Sequence, residues 1–277
     1  MSDFLDKGTL LRQAIDQADA VLIGAGSGLS AAAGLTYSGE RFQRYFADFA
    51  ERFGIRDMYS GGFYPFPDLE TYWGWWSRHI WYNRFDVQEN GLYAALHETV
   101  CAKDHFVITT NVDHQFQAAG FADERLFCTQ GDYGLIQCKD GCHTKTYDCE
   151  ALVREMIATQ EHMRVPTELV PRCPVCGKPM VAHLRCDDTF VEDDGWHAMQ
   201  ERYSRWVGEH ASGKVLYLEL GVGLNTPAWI KYPFWRMTQA NPLATYVCCN
   251  YGEVYAPGQI ADRSLLLDGD IAELLLY

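Results

Sequence analysis

The chain has 277 residues, 48% of them hydrophobic, enough for a full core in one large domain or in one large and one small. Its formal net charge is −14 and its Lys and Arg residues form no long cluster, which argues against a general binder of nucleic acid. No apolar run approaches the roughly 20 residues that span a bilayer, and no basic segment followed by an apolar block opens the chain, so a cytoplasmic protein without membrane contact is expected.

A leading amphipathic helix is expected over residues 9–18, where Leu10, Leu11, Ala14, Ile15 and Ala18 follow a helical period. The apolar run 21–23 then reads as a buried strand. Gly24, Gly26 and Gly28 strip side chains from the turn after it, and 29–35 has the Ala-rich composition of a helix start. Such a strand–turn–helix aims backbone N–H groups and the positive end of the helix dipole at one point, suited to a phosphate or pyrophosphate. Gly26-x-Gly28-x-x-Ala31 also fits the dinucleotide fingerprint, although a tight turn with no ligand has the same letters. Residues 36–62 are polar and glycine-punctuated, with a short helix expected near 44–53. The stretch 63–85 is rich in aromatics, Trp73, Trp75, Trp76 and Trp81 among them. They serve either as the core between packed helices or as a wall beside a ligand pocket.

A helix over 90–100 precedes a second buried strand, 105–110, which runs into Asn111-Val112-Asp113. A third strand, 125–128, runs into Thr129-Gln130-Gly131-Asp132. Between 137 and 186 the chain turns cysteine-rich and polar, with one helix near 150–161, and this reads as an inserted module. Ten cysteines have no need of disulfides in a cytoplasmic chain of this size. Cys138, Cys142, Cys173 and Cys176 form two close pairs that can close a tetrahedral thiolate site for structural zinc, with no open position for a water. The alternative is two unrelated buried pairs, and His143 and Cys149 lie near enough to act as substitute ligands. Strands return at 215–220, before Gly221-Val222-Gly223, and at 245–249, before Asn250. Residues 265–276 read as a closing helix, with Asp268-Gly269-Asp270 at its start. Strands alternating with helices predict an α/β fold, a parallel sheet with helices on both faces. Ligands of such sheets collect at the C-terminal strand ends, so 24–28, 111–113, 130–132, 221–225 and Asn250 are expected to face one crevice.

In their order along the chain these motifs resemble the sirtuins. Gly26-Ser27-Gly28-Leu29-Ser30 through Gly34-Leu35 looks like the family's Gly-Ala-Gly-Ile-Ser-x-x-x-Gly-Ile block, and Thr109-Thr110-Asn111-Val112-Asp113 like its Thr-Gln-Asn-x-Asp. Two cysteine pairs follow, Gly221-Val222-Gly223 stands where sirtuins carry Gly-Thr-Ser, and Asn250 ends a strand as the family's Ile-Asn does. The resemblance covers nearly the whole chain. It implies one catalytic unit in which about 1–36, 86–136 and 187–277 form a Rossmann-like NAD-binding domain. About 37–85 and 137–186 would form a small helical and zinc-binding domain. On the matching positions, Gly26, Ser27 and Gly28 would wrap the pyrophosphate, with Ala25 and Ser30 among the cofactor contacts. Asn111 would order the nicotinamide ribose and a nearby water, and Asp113 would bind the nicotinamide carboxamide. Gly221, Gly223 and Asn225 would line the phosphate and ribose side, with Asn250 and Ile271 near the adenosine.

Two departures from the family pattern matter. Where sirtuins carry Pro-Asp-Phe-Arg this chain reads Thr36-Tyr37-Ser38-Gly39, leaving Arg41 and Arg44 as candidates for the missing arginine. The catalytic histidine of the family's His-Gly pair is here Gln130. In deacylation that histidine accepts a proton from the nicotinamide ribose, whereas an amide can hydrogen-bond the ribose but is no base near neutral pH. Nicotinamide can still depart, aided by positioning and electrostatics, and another nucleophile then takes the ribose carbon. The chain looks most like the macrodomain-linked (class M) sirtuins of microbes. That resemblance implies a protein ADP-ribosyltransferase acting on a lipoylated glycine-cleavage H-like carrier protein, with a macrodomain ADP-ribosyl hydrolase as an opposing partner. A lysine deacylase using His114 or His183 in place of the histidine, and a non-catalytic NAD or ADP-ribose sensor, remain as alternatives.

Overall fold

The helical and strand periods of the sequence sort the chain into two sheets in the computed structural model, which describes residues 2–224 and 227–276. Helix α1 (Ser2–Gln17) leads into β1 (Ala20–Ala25), whose residues are all buried, as befits a parallel strand covered on both faces. Alternate residues of β1 serve two cores. Val21, Ile23 and Ala25 pack with Leu11, Ile15 and Leu96, while Ala20 and Leu22 pack with Phe106, Trp206 and Phe234.

After β1 come α2 (Ser27–Ala32), α3 (Gly39–Phe53), α4 (Met58–Gly62), α5 (Leu69–Ile80) and a π-helical turn, Trp81–Phe85. Then follow α6 (Leu92–Val100), β2 (Asp104–Thr109), α7 (Gln115–Ala118), β3 (Leu126–Cys128), β4 (Gly131–Cys138), β5 (Tyr147–Asp148), α8 (Glu150–Thr159) and β6 (Met180–Leu184). The chain closes with α9 (Asp194–Glu209), β7 (Val215–Leu220), α10 (Lys231–Ala240), β8 (Thr245–Asn250), β9 (Ser264–Asp268) and α11 (Ile271–Leu276). Asp57, Asp68 and Asp193 start α4, α5 and α9 by accepting the N–H of Ser60, Thr71 and Trp196. Such caps are worth about 1 kcal/mol each. None of the described helices is long and apolar enough to cross a membrane.

The main sheet is parallel, in the order β3-β2-β1-β7-β8-β9. Its register places Cys128, Thr109, Ala25, Leu220, Cys249 and Leu267 on one row across all the strands. The residues next along each strand or turn, including Gly26, Thr110, Gly221 and Asn250, therefore share one rim. That row brings together motifs more than 200 residues apart in sequence.

The second sheet is antiparallel, β5-β4-β6, and packs with α3, α5 and α8 around a third core. Trp73 and Trp75 are fully buried there, so most of the aromatic stretch is core, while Trp76 and Phe63 also border cavities. Because β4 begins at Gly131, the small sheet starts before the change of character visible at 137. Two expectations need correction. Residues 265–276 are not one helix: Ser264–Asp268 pairs with β8 as an edge strand, and the helix begins only at Ile271. The leucine run Leu265-Leu266-Leu267 suits either period, and the free edge of β8 decides it. Gly24 lies within β1 rather than in the turn, where its missing side chain makes room for Ile230 and Phe234.

Candidate active site

The glycine turn packs against the turn that follows β7. The N–H of Gly26 donates to the Leu220 carbonyl at 3.0 Å and that of Gly28 to the Gly221 carbonyl at 2.9 Å. A Cβ on Gly28 would stand 2.7 Å from Gly221 Cα, and Gly221 itself has φ of +63°. These glycines let the turns after β1 and β7 touch, and two N–H groups expected to be free for phosphate are spent on that contact. Gly221 is part of this junction. Gly223 sits beside Glu253 and the Asn250 side chain lies 3.4 Å from the Val222 carbonyl, whereas Ile271 is buried in the core that α11 shares with α1 and α6. Asn225 is outside the described residues.

On the other side of the junction a cavity of about 610 Å³ opens, bordered by Ser27 and Ser30 of α2, Asn111 and Asp113 after β2, and Gln130 after β3. Asn111 is fixed at both ends. Its backbone N–H donates to Thr109 Oγ1 at 3.0 Å, and its Nδ2 donates to the Gly26 carbonyl at 3.0 Å. Its Oδ1 is left as an acceptor for a ligand hydroxyl. Asp113 is 6% exposed and takes hydrogen bonds from Ser30 Oγ at 2.5 Å and from the Gln115 N–H at 3.2 Å. Burial raises its pKa, and the Ser30 and Gln115 hydrogen bonds offset only part of that rise. Gln130 is held by its backbone carbonyl, which accepts the Arg185 N–H at 3.0 Å.

Neither His114 nor His183 is among the described residues that line the cavity. His114 Nδ1 lies 3.0 Å from Asp132 Oδ2, and Asp132 also takes Arg84 Nε at 2.9 Å. Burial acts to raise the Asp132 pKa, but His114, Arg84 and the Gly134 N–H outweigh it and hold the carboxyl below its usual range. His183 Nε2 is bonded to the Val191 carbonyl at 2.8 Å, with its ring stacked on Phe190. The histidine that does border the cavity is His79, whose pKa burial lowers to about 3, which makes it a weak base. Of the arginine candidates, Arg41 points inward to Asn83 Oδ1 at 2.7 Å and Arg44 is exposed over the Tyr45 ring. A cation that borders the cavity is Arg185, steadied by Glu192 at 2.7 Å and by the Phe190 ring.

The four cysteines converge. Their Sγ atoms all lie within 4.8 Å of one another, with Cys138–Cys176 and Cys142–Cys173 each at 3.6 Å. Zinc at about 2.3 Å from each of four tetrahedral thiolates separates the sulfurs by about 3.8 Å, so the donor set fits that ion. His143 Nε2 stands 3.5 Å from Cys173 Sγ, beside the cluster, whereas Cys149 is buried against the Tyr133 carbonyl.

No family profile matches the sequence. A curated protein ADP-ribosyltransferase of Staphylococcus aureus is 40% identical over 280 residues, 99% of this chain and 89% of its own length. The chain belongs to the sirtuin-type protein ADP-ribosyltransferases. A Fusarium oxysporum protein described as a probable bifunctional ADP-ribose hydrolase/ADP-ribosyltransferase is 34% identical over 81% of this chain, which spans 39% of that longer protein. Among solved structures, a mutant Sir2 homologue in complex with ADP-ribose aligns at a TM-score of 0.60 and 16% identity, covering 96% of this chain and 92% of that one. A mutant Sir2 with a deacetylated p53 peptide and 3′-O-acetyl ADP-ribose aligns at 0.57 and 17%, covering 97% and 95%. At these identities the likeness is one of fold.

For a sirtuin-type ADP-ribosyltransferase the site contains two residues that sequence reasoning missed. Tyr93 of α6 lies 3.0 Å from Ser30 Oγ and 3.4 Å from Asn111 Nδ2, tying the two together. In sequence it is one apolar position of a helix. Arg185 is a single arginine at the end of the cysteine module, and only the pairing of β4 with β6 brings it to Gln130.

Proposed function

We propose that this chain takes NAD as its donor and transfers ADP-ribose to a nucleophile on a lipoylated H-like carrier protein. In that reaction the bond from the ribose C1′ to the nicotinamide nitrogen breaks, and nicotinamide leaves neutral with the electron pair. The acceptor's nucleophile forms the new bond to C1′ and gives up its proton to solvent. Asn111 would hold a ribose hydroxyl through Oδ1, and Asp113 would accept the carboxamide N–H. Gln130 would hydrogen-bond the remaining ribose hydroxyls without taking a proton. The observation that carries this reading is Gln130 itself: the cavity that holds Asn111 and Asp113 has an amide where deacylation requires a base.

The Staphylococcus relative supports transfer to protein. The Fusarium protein, described as a probable bifunctional ADP-ribose hydrolase/ADP-ribosyltransferase, is in keeping with an opposing hydrolase as partner, which we propose to be a macrodomain protein. A thiolate cluster and ten unpaired cysteines suit a reducing, cytoplasmic setting. The test offers NAD with the carrier in lipoylated and unlipoylated form and reads intact mass. ADP-ribose should appear on the lipoylated form far faster, and Gln130→Ala should slow transfer roughly fivefold or more, the worth of one positioned hydrogen bond. Equal labelling of both forms would remove the lipoyl carrier as the substrate.

A further inference from the structure

A chain of three hydrogen-bonded side chains ends in the cavity, outside the residues assigned so far. His79 Nε2 lies 2.8 Å from Tyr133 Oη, and Tyr133 Oη lies 2.7 Å from Tyr37 Oη. All three residues border the cavity that holds Asn111 and Asp113. Their proton order follows from one buried atom. His79 Nδ1 is buried without a hydrogen-bond partner among the described residues. A proton there would be an orphaned N–H, so the neutral ring carries its proton on Nε2. Burial and the Arg41 charge keep that ring neutral. Nε2–H then donates to Tyr133, and the Tyr133 hydroxyl donates to Tyr37. The Tyr37 O–H is left to donate elsewhere, and burial, which pushes its pKa up to about 12, keeps it protonated.

We propose that Tyr37 is a recognition residue that donates its hydroxyl to the carboxamide oxygen of the nicotinamide group, and that Tyr133 and His79 are positioning residues that fix its direction. The inference rests on the NAD reading above. A primary amide needs an acceptor for its N–H and a donor for its oxygen. Asp113 offers carboxyl oxygens as acceptors, Ser30 Oγ is committed to Asp113 and Asn111 Nδ2 to the Gly26 carbonyl, and the two lone pairs of an amide oxygen leave room for a side-chain donor beside the Val112 N–H of the same cavity. Tyr37, in the lining of the same cavity, supplies that side-chain donor. The departure Thr36-Tyr37-Ser38-Gly39 from the sirtuin pattern thereby gains a purpose.

The test compares nicotinamide release from NAD with thionicotinamide release from its thio analogue, whose sulfur accepts hydrogen bonds weakly. Wild-type protein should favour NAD in kcat/KM. Tyr37→Phe should lose about five- to tenfold with NAD and little with the analogue, so the preference collapses. Tyr133→Phe should weaken the same preference by a smaller factor, which a general loss of packing would not do. Equal losses on both dinucleotides in Tyr37→Phe, or no loss on either, would overturn this inference alone. Wild-type protein that releases neither base would overturn it together with the NAD reading.

Discussion

Asn111→Ala should lower nicotinamide release from NAD by at least about a hundredfold while the protein remains folded. The side chain is held from both sides, by Thr109 Oγ1 on its backbone N–H and by the Gly26 carbonyl on Nδ2, so Oδ1 meets the ribose without reorganising. Removing one preorganised polar partner of a developing transition state costs on the order of a hundred- to a thousandfold in rate. The cost to the fold is smaller. The buried hydrogen bond to Gly26 and the longer one to Tyr93 are lost, the first worth about 1 kcal/mol, or a fall of roughly 2–4 °C in Tm for a chain of this size class. Chromatographic assay of nicotinamide beside a thermal melt separates the two effects. Turnover within twofold of wild type would remove Asn111 from the reaction.

Loss of zinc should have the largest effect on stability. Cys138 ends β4, and the Cys173–Cys176 knuckle leads through Gly177 and Lys178 into β6, so a zinc ion on the four thiolates would staple the two strands that pair along the small sheet. Structural zinc contributes about 10–16 kcal/mol of apparent binding energy to such sites, as much as the whole stability of a typical domain. The same strand β4 carries Tyr133 of the cavity and begins one residue after Gln130, so the cysteine cluster and the candidate active site share one backbone element. Purified protein should contain about one zinc per chain. Cys173→Ser should drop that content, broaden or abolish the melting transition and silence transfer with it. A metal-free protein that melts as the native one does would refute the assignment.

Much of the rim is legible in the sequence because parallel strands end in register. Gly26, Asn111, Gln130 and Asn250 each follow an apolar run, and one row of the sheet aligns those run ends. What could not be read depends on partners distant in sequence. Tyr93 becomes a site residue only through Ser30, and Tyr37 only through Tyr133 and His79. The glycines illustrate the opposite limit: Gly26 and Gly28 fit a phosphate fingerprint, yet their N–H groups serve the approach of β7, which no local pattern encodes. The second sheet escaped notice because β4 and β6 are separated by the cysteine module, and their pairing breaks register between Asp132 and Ile136.

The most direct test of the account offers the protein NAD with two acceptors at once, an acetylated lysine peptide and the lipoylated carrier, and follows both by intact mass. The account predicts that the carrier gains one ADP-ribose unit, that nicotinamide appears in equal amount, and that the peptide keeps its acetyl group. Brisk removal of the acetyl group by wild-type protein, with the carrier unchanged, would contradict it.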